Sequence, residues 1–325
     1  MGDARRDIVV IGGSAGALEP LKQIVTDLPA DLPAAVVVVL HLSATARSAL
    51  APILNRAGGL QAVTPRNGDP IRPGYLYTPT PDLHLELHDD GFRVTHGPKV
   101  NGARPSIDVL FRSAAATFGN RVVGVVLSGG LDDGSAGLAA ICVAGGAAVV
   151  QSPDDALIDS MPRNAIAAAG PEHVVPAEKI GGLIADIVGA RAVASSAPNR
   201  KGGKKLEMEA VGIHDADGQV TGLTCPDCHG SIWMQGDGGE LTFNCRIGHS
   251  YSPEAFFEIQ SENVENALWA GVRSLEEQAS MAAVMAARAE RKEDDQARRR
   301  LERRRELANA NADVLRKLIL ERSDA

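Results

Sequence analysis

The chain has 325 residues, of which 44% are hydrophobic and 23% charged, and its formal net charge is -8. This length exceeds one ordinary hydrophobic core, so we expect one large α/β domain with further units attached. The negative charge argues against a nucleic-acid partner, and no uncharged apolar run approaches the ~20 residues that a membrane helix needs. We therefore expect a cytoplasmic protein without membrane insertion.

Residues 7 to about 190 alternate apolar β-branched runs with helical patterns. The runs are "IVVIG", "AAVVVVLHL", "RVVGVVLSGG", "AAVVQS" and "HVVPA". Continuous apolar strands joined by crossovers of helical length predict an α/β fold, with a doubly wound, mainly parallel sheet and helices on both faces. Between residues 60 and 100 the segments "GYLYTPT", "HLELHDD" and "GFRVTHG" predict an inserted meander at an edge, with a turn at 89–91.

Composition divides the chain into four parts. We predict a catalytic domain over 1–193, a linker over 194–209, a small cysteine-bearing unit over 210–252 and a helical tail over 253–325. In the tail, apolar residues recur every three or four positions, which predicts a long helix or coiled coil that pairs with a second copy or a helical partner. The charge run "RRRLERRR" within it is interpreted as a solvated helix face.

Polar residues follow three of the predicted strands. Ser14, inside the GxSxG stretch from Gly12 to Gly16, follows the first run, His41 follows the second, and Asp132 and Asp133 follow "VVGVVLSGG". The carboxyl ends of parallel strands meet at one edge, so we expect serine, histidine and acid to converge there. A sharp strand-to-helix turn exposes the serine hydroxyl, the histidine deprotonates it, and the carboxylate orients the imidazole.

A dinucleotide site is the competing interpretation of the first glycine-rich turn. GxGxxG requires glycine at position 14, where serine stands, and an acidic residue near the end of the second strand, where His41 and Leu42 stand. The residues therefore favour a nucleophile over a flavin or nicotinamide site.

Cysteine spacing predicts a metal site in the third part of the chain. Cys225 and Cys228 form a CxxC pair, and Cys245 and His249 follow after a gap of sixteen residues. Three thiolates and one imidazole suit a structural, tetrahedral Zn²⁺ ion in a zinc ribbon, and a reduced, metal-free module is the alternative. Cys142 lies apart in an apolar stretch and is expected to be core packing.

Six motifs resemble a known family. They are "VIGGSAGALEPL", "VVVLHLS", "GDPIRPGYLYTPTPDLHL", "RPSIDVLFRSAA", "VVLSGGLDDGSAGL" and "SMPRNAI", within roughly residues 7 to 188. The candidate residues occur in the chain order Ser, His, Asp, which α/β-hydrolases do not use. With these six motifs in this sequence, the chain resembles the CheB-type protein-glutamate methylesterases of bacterial chemosensory pathways.

The resemblance implies roles for three residues. Ser14 matches the nucleophile, His41 the general base, and Asp133 the orienting carboxylate, with Asp132 ranked second. The implied reaction hydrolyses glutamate methyl esters on a methylated chemoreceptor and releases methanol, without a catalytic cofactor. Deamidation of receptor glutamines by the same acyl route is a further expected activity.

Other residues are candidates for oxyanion or substrate contacts. Ala15 and Gly130 lie beside the predicted nucleophile and acid, Asp108 and Arg112 lie one helical turn apart in "RPSIDVLFRS", and Arg163 follows Met161 and Pro162.

Family members often begin with a receiver domain, whereas this sequence starts at the catalytic strand, so we expect control from the carboxyl-terminal parts or a partner. The alternative function is a catalytically weak signalling scaffold that acts through the ribbon and tail.

Overall fold

The computed structural model describes residues 5–41, 50–189, 218–236 and 241–323. The chain folds into two compact units, Met1–Phe256 and Phe257–Ala325. The predicted linker over 194–209 lies outside the described residues.

The first unit contains the α/β fold and a small second sheet. The elements of the α/β fold, in chain order, are β1 (Ile8–Gly13), α1 (Leu18–Asp27), β2 (Ala35–Leu40), α2 (Leu50–Ala57), β3 (Gln61–Val63), β4 (Tyr75–Tyr77), β5 (His84–His88), β6 (Gly91–Thr95), α3 (Ile107–Phe118), β7 (Val122–Val126), α4 (Ser135–Val143), β8 (Ala147–Gln151), α5 (Ser160–Ala169), β9 (His173–Val175) and α6 (Ala177–Gly189). The small sheet consists of β10 (Gln219–Thr224), β11 (Ser231–Gln235), β12 (Thr242–Cys245) and β13 (Ser250–Tyr251).

Seven strands form the main sheet in the order β3-β4-β2-β1-β7-β8-β9, and every neighbouring pair is parallel. The predicted doubly wound, mainly parallel sheet is therefore confirmed. The chain moves from β1 to β2 on one side and later returns to place β7 on the other side. Such a reversal of strand order opens a crevice at the carboxyl ends of the strands.

Helices cover both faces of this sheet. Residues of α1, α2 and α6 pack against Val9 and Ile11 on one face. Residues of α3, α4 and α5 pack against Val10 on the other face. Neighbouring residues of β1 thus point into two different cores, which explains why the central strands are apolar throughout instead of alternating.

The segment around Tyr75–Tyr77 corrects one prediction. We predicted it as part of an edge meander, but β4 lies inside the main sheet between β2 and β3. Leu76 is buried on one face, and Tyr77 packs on the other against Phe92, with ring centroids 4.5 Å apart. A strand of three residues is too short for its periodicity to reveal which sheet it joins. The hairpin of β5 and β6, with its turn at Asp89 and Asp90, is confirmed.

The small sheet is antiparallel, in the order β10-β11-β12-β13. We call the described residues from 218 to 252 the cysteine module. Tyr251 is its largest fully buried side chain and packs against Phe256, which also stacks on Phe243. This core is small compared with that of the main sheet.

The second unit is helical. It contains most of α7 (Pro253–Glu290) and all of α8 (Asp295–Ser323). Ala286, Ala289 and Leu301 form a buried cluster where one helix passes into the next. Within the described residues, none of the helices combines the length and the apolarity that crossing a bilayer requires.

Candidate active site

Ser14 leaves the sheet immediately after β1. Its N–H donates to the carbonyl oxygen of Ser128 at 2.9 Å, and the N–H of Ala17 donates to the Ser14 carbonyl at 3.1 Å, which closes a tight turn before α1. Gly16 completes this turn with a φ of 81°, in the left-handed region that favours glycine. The Ser14 side chain is half-buried at the carboxyl edge of the sheet, where a substrate can reach it.

His41 follows β2 on the neighbouring strand. Its N–H donates to the carbonyl oxygen of Gly13 at 3.2 Å, and Gly13 pairs with Leu40 in the strand register. Adjacent strands lie about 4.8 Å apart, so this register sets the backbones of Ser14 and His41 side by side.

The imidazole of His41 contacts the carboxylate of Asp133. His41 Nε2 lies 2.8 Å from Asp133 Oδ2. An ionised carboxylate only accepts hydrogen bonds, so in the neutral imidazole the proton lies on Nε2 and the lone pair on Nδ1. Nδ1 is thus the nitrogen that can act as a base.

Asp133 is buried, and the beginning of α3 surrounds it with donors. Asp133 Oδ2 accepts from the Ile107 N–H at 2.7 Å, while Oδ1 accepts from the Ser106 hydroxyl at 2.8 Å and the Asp108 N–H at 3.1 Å. Burial acts to raise the pKa of Asp133, but the hydrogen bond and charge of His41, together with these donors, hold the pKa below its ordinary value. The carboxylate is therefore ionised across the neutral range and can stabilise an imidazolium.

Asp108 lies beside Asp133 and is equally enclosed. Asp108 Oδ1 accepts from the N–H groups of Gly134 and Gly137, at 3.0 and 2.7 Å, at the start of α4. Burial and the charge of Asp133 raise the pKa of Asp108 to about 7. The structure thus places this predicted substrate residue beneath the site, at the start of a helix.

Asp132, ranked second as the acid, faces the cysteine module. Its Oδ1 accepts from the hydroxyl of Ser252 at 2.9 Å. Burial raises the pKa of Asp132, and the bond from Ser252 partly offsets that rise. Of the two neighbouring carboxylates, Asp133 is the one that contacts His41.

The two oxyanion candidates lie in the loops after β1 and β7. Ala15 is exposed, and Gly130 is half-buried with no heavy atom near the position of an added Cβ. Among the described residues, neither N–H donates a hydrogen bond to another backbone or side-chain group. Both N–H groups are therefore without an acceptor among the described residues.

Two arginines were also predicted as substrate contacts. Arg112 is half exposed, and its Nη2 lies 3.9 Å from Asp108 Oδ2. Arg163 is more exposed and pairs with Asp159 at 2.7 Å, one turn earlier in the chain. Exposed pairs such as Arg163–Asp159 stabilise a protein by only about 0–1 kcal/mol, so the Arg163 guanidinium can exchange its partner for a substrate group, whereas the carboxylate near Arg112 is buried.

Three residues that sequence reasoning did not single out support the site. Ser106, whose side chain accepts from the Val109 N–H, caps α3. Ser128 donates to the Ala15 carbonyl at 2.9 Å, which steadies the turn after Ser14. Asn101 donates to Asp133 Oδ1 at 3.4 Å. Serine before "IDVL" is a readable helix-start signal, whereas the "NG" pair at 101–102 indicates only a turn.

The four predicted metal ligands meet in the cysteine module. Cys225, Cys228, Cys245 and His249 each offer one ligand atom, and these atoms all lie within 4.8 Å of one another. His249 Nδ1 lies 3.6 Å from Cys225 Sγ and 3.5 Å from Cys245 Sγ, and the Sγ atoms of Cys228 and Cys245 are 3.5 Å apart. Ligands at Zn–S and Zn–N lengths of about 2.3 and 2.1 Å on a tetrahedron are separated by about 3.5–3.8 Å, so the donor set fits such an ion.

Comparison with known proteins gives one family for the first half of the chain. The family described as CheB methylesterase matches residues 9–184. A protein of Xanthomonas campestris pv. campestris named protein-glutamate methylesterase/protein-glutamine glutaminase 1 is 38% identical over 177 residues, which are 53% of this chain and 49% of that protein. The chain thus spans about half the length of this curated relative.

Two further proteins match over nearly their whole length. A relative from Leptospira interrogans is 36% identical over 178 residues, and the match covers 54% of this chain and 92% of that protein. The crystal structure of the Thermotoga maritima CheB methylesterase catalytic domain superposes with a TM-score of 0.54 at 28% identity, covering 56% of this chain and 99% of that one.

Proposed function

The chain belongs to the CheB methylesterase family, and from this we propose that it hydrolyses the γ-methyl esters of glutamate residues on chemoreceptor proteins and releases methanol. The observation that carries the proposal is the 2.8 Å contact between His41 and a buried, ionised Asp133, beside the turn that presents Ser14. A serine, an imidazole and a carboxylate that follow three adjacent strands suit acyl transfer.

In the proposed mechanism Ser14 attacks the ester carbonyl carbon while His41 Nδ1 accepts its proton. Asp133, bonded to Nε2, stabilises the imidazolium that forms. The imidazolium then gives the proton to the departing methoxide, and methanol leaves the acyl-enzyme. Water, deprotonated by the same imidazole, attacks the acyl carbon and restores both the glutamate and the Ser14 hydroxyl.

The negative oxygen of the tetrahedral intermediate needs donors. The backbone N–H groups of Ala15 and Gly130 are the proposed donors, because no other described group uses them. Removing one such donor typically slows an acyl transfer by about 10²–10³-fold. These steps use only groups of the chain and water.

Glutamine deamidation is proposed as a second reaction of the same site. Ammonia then takes the place of methanol as the leaving group, and water again releases a glutamate. The proposal is supported by the double name of the Xanthomonas relative, which includes protein-glutamine glutaminase.

The test of the main proposal measures methanol release from a methylated chemoreceptor. We expect the Ser14→Ala chain to lose release to the background rate, and Ser274→Ala, an exposed serine of α7, to retain it. Normal release by Ser14→Ala would refute the mechanism. Normal signalling by a Ser14→Ala chain that releases no methanol would instead favour the scaffold alternative.

We also propose that the cysteine module is a zinc ribbon, with Cys225, Cys228, Cys245 and His249 as ligands of a structural Zn²⁺. The interligand distances support this set, and four protein ligands leave no open position for catalysis. A sheet with so small a core gains much of its stability from the metal. Metal analysis should find one zinc per chain, lost in Cys245→Ser and retained in Cys142→Ser; equal zinc content in both variants would contradict the assignment.

For the whole chain we propose the catalytic domain, ribbon and helical tail predicted over 1–193, 210–252 and 253–325. The tail carries exposed apolar side chains, among them Met281, Val284, Leu307 and Val314, which support pairing with a second copy or a helical partner. Sedimentation at micromolar concentration should show a dimer, and a monomer that binds no helical partner would refute the pairing.

A further inference from the structure

The segment of residues 97–106 links the cysteine module to the catalytic acid. It connects the hairpin of β5 and β6 to the start of α3. Asn101, near its middle, has a φ of 51°, a left-handed conformation that asparagine tolerates better than most residues. Both ends of the Asn101 side chain make hydrogen bonds, and they do so in opposite directions.

One end of the Asn101 amide faces the two buried carboxylates. Its Nδ2 donates to Asp133 Oδ1 at 3.4 Å and to Asp108 Oδ2 at 3.3 Å. Asp133 Oδ1 also accepts from Ser106 and from the Asp108 N–H, which belong to the start of α3. Asn101 therefore restrains this oxygen from outside α3.

The other end of the amide faces the cysteine module. Asn101 Oδ1 accepts from the N–H of Ser252 at 2.9 Å, and the backbone N–H of Asn101 donates to the Ser250 carbonyl at 2.8 Å. The Ser250 N–H in turn donates to the Lys99 carbonyl at 3.3 Å, so Val100 pairs with β13 as a short parallel bridge. The orientation of the amide is thus fixed by an acceptor on one side and a donor on the other.

Two side-chain contacts reinforce this junction. Lys99 Nζ lies 2.7 Å from Asp227 Oδ1. In the chain, Asp227 stands between the proposed ligands Cys225 and Cys228. Ser252 Oγ donates to Asp132 Oδ1, next to the catalytic acid. The module is therefore attached to the segment before α3 and to the loop that carries Asp133.

We propose that Asn101 is a positioning residue through which the cysteine module holds the carboxylate of Asp133, so that nucleophilic activity of Ser14 depends on the folded, metal-holding module. The inference rests on the proposed function for the roles of Ser14, His41 and Asp133. It adds to that function a dependence of Ser14 on the cysteine module, which a catalytic domain by itself would lack. A carboxylate that loses this restraint shifts relative to His41, and a small misplacement of a catalytic group is costly.

The first experiment substitutes Asn101 in the full chain. Asn101→Gly removes the amide and keeps the backbone conformation, and Asn101→Asp keeps the acceptor for Ser252 but loses the donor to Asp133. We expect kcat to fall about tenfold or more in both, with KM unchanged, because Asn101→Gly releases the acid and Asn101→Asp also sets a further carboxylate against it. Asn67→Gly, on an exposed loop, is the matched control and should retain kcat. An unchanged kcat in Asn101→Gly would overturn the inference.

The second experiment removes zinc from the full chain with 1,10-phenanthroline and then restores it. The readout is the rate at which a fluorophosphonate labels Ser14, which requires an activated serine but no receptor. We expect chelation to slow labelling of the unmodified chain and zinc to restore it, while Asn101→Gly is already slow and changes little on chelation. Equal slowing in both chains would show that the module acts by another route and would overturn the inference.

A third readout does not depend on activity. Amide hydrogen exchange over residues 99–110 should accelerate on chelation, because the bridge from Ser250 to Lys99 and Asn101 is lost. Unchanged exchange there would also overturn the inference. Metal-dependent labelling of Ser14 without methanol release from a methylated receptor would contradict the proposed substrate and leave the dependence on the module supported.

Discussion

Asp108 and Asp133 cap each other's helices. Asp108 belongs to the first turn of α3 but accepts from Gly134 and Gly137 at the start of α4, while Asp133, which leads into α4, accepts from Ile107 and Asp108 at the start of α3. Helix amino termini favour negative charge, yet two buried carboxylates this close cannot both ionise easily. The proton of the pair therefore resides on Asp108, whose pKa is raised, and the charge on Asp133, whose pKa is lowered.

The raised pKa of Asp108 predicts a stability change with pH. Burial shifts this pKa from 3.8 to about 7, so the folded chain holds a proton that the unfolded chain has released between these values. Free energy of unfolding then falls as pH rises from about 4 to 7, by up to about 1.4 kcal/mol per pH unit. Asp108→Asn keeps the acceptor oxygen and should flatten this dependence in urea titrations. Asp186→Asn, which changes an exposed carboxylate, should leave the pH dependence as it is. Parallel pH curves for Asp108→Asn and the unmodified chain would refute the assignment of the raised pKa to Asp108.

Asp133→Asn should nearly abolish activity while the fold persists. An amide at 133 cannot stabilise the imidazolium of His41, and the loss in kcat for such a change is about 10³–10⁴-fold. Single-turnover hydrolysis of a methylated receptor measures it, with circular dichroism as the check on folding. Asp132→Asn, which keeps an acceptor for Ser252, should have a much smaller effect; the reverse ranking would make Asp132 the catalytic acid.

Ser106→Ala should lower both stability and turnover. The hydroxyl caps α3 and donates to Asp133 Oδ1 at 2.8 Å, and loss of a helix cap typically costs about 1 kcal/mol. We expect urea unfolding to show this loss and kcat to fall with it. Ser106→Thr retains the hydroxyl and should recover most of the turnover. If Ser106→Ala loses stability but keeps kcat, the hydroxyl serves the helix alone.

Gly129 and Gly130 form a matched pair for the loop beside Ser14. A Cβ on Gly129 would lie 2.9 Å from Ser14 Cβ and 2.7 Å from Met161 Sδ, whereas a Cβ on Gly130 meets nothing within 4 Å. Overpacking of this kind costs about 1–3 kcal/mol, so Gly129→Ala should lower the unfolding free energy and displace Ser14. Gly130→Ala should leave thermal unfolding unchanged. Equal melting temperatures for the two variants would contradict this packing.

The long strands of the sheet were predictable because each carries its own signal. Runs such as "IVVIGG" are apolar at every position, which only a strand buried on both faces explains well. Since strand ends in a parallel sheet share an edge, the approach of His41 to Asp133 followed from three local patterns. β4 was not predictable in this way, because three residues fit a meander and a main-sheet strand equally.

The surroundings of the acid were beyond sequence reasoning for a different reason. Asn101 and Ser252 make contact across 151 positions of the chain. Nothing in "VNGARPS" or "SYSPEAF" indicates a partner so far away, since turn and helix-start signals describe only their own neighbourhood. The exchange of caps between Asp108 and Asp133 could not be predicted from the sequence either, because each aspartate is equally suited to the amino terminus of its own helix.

The 151-residue separation of Asn101 and Ser252 has a consequence for biosynthesis. A nascent chain emerges from the ribosome amino terminus first, so all seven strands of the main sheet can pair while the residues near position 250 are still untranslated. The acid then acquires its last restraint only after the module has emerged and folded. A chain still attached to the ribosome would accordingly carry an assembled sheet with an incompletely restrained acid until the residues near position 250 have emerged and folded.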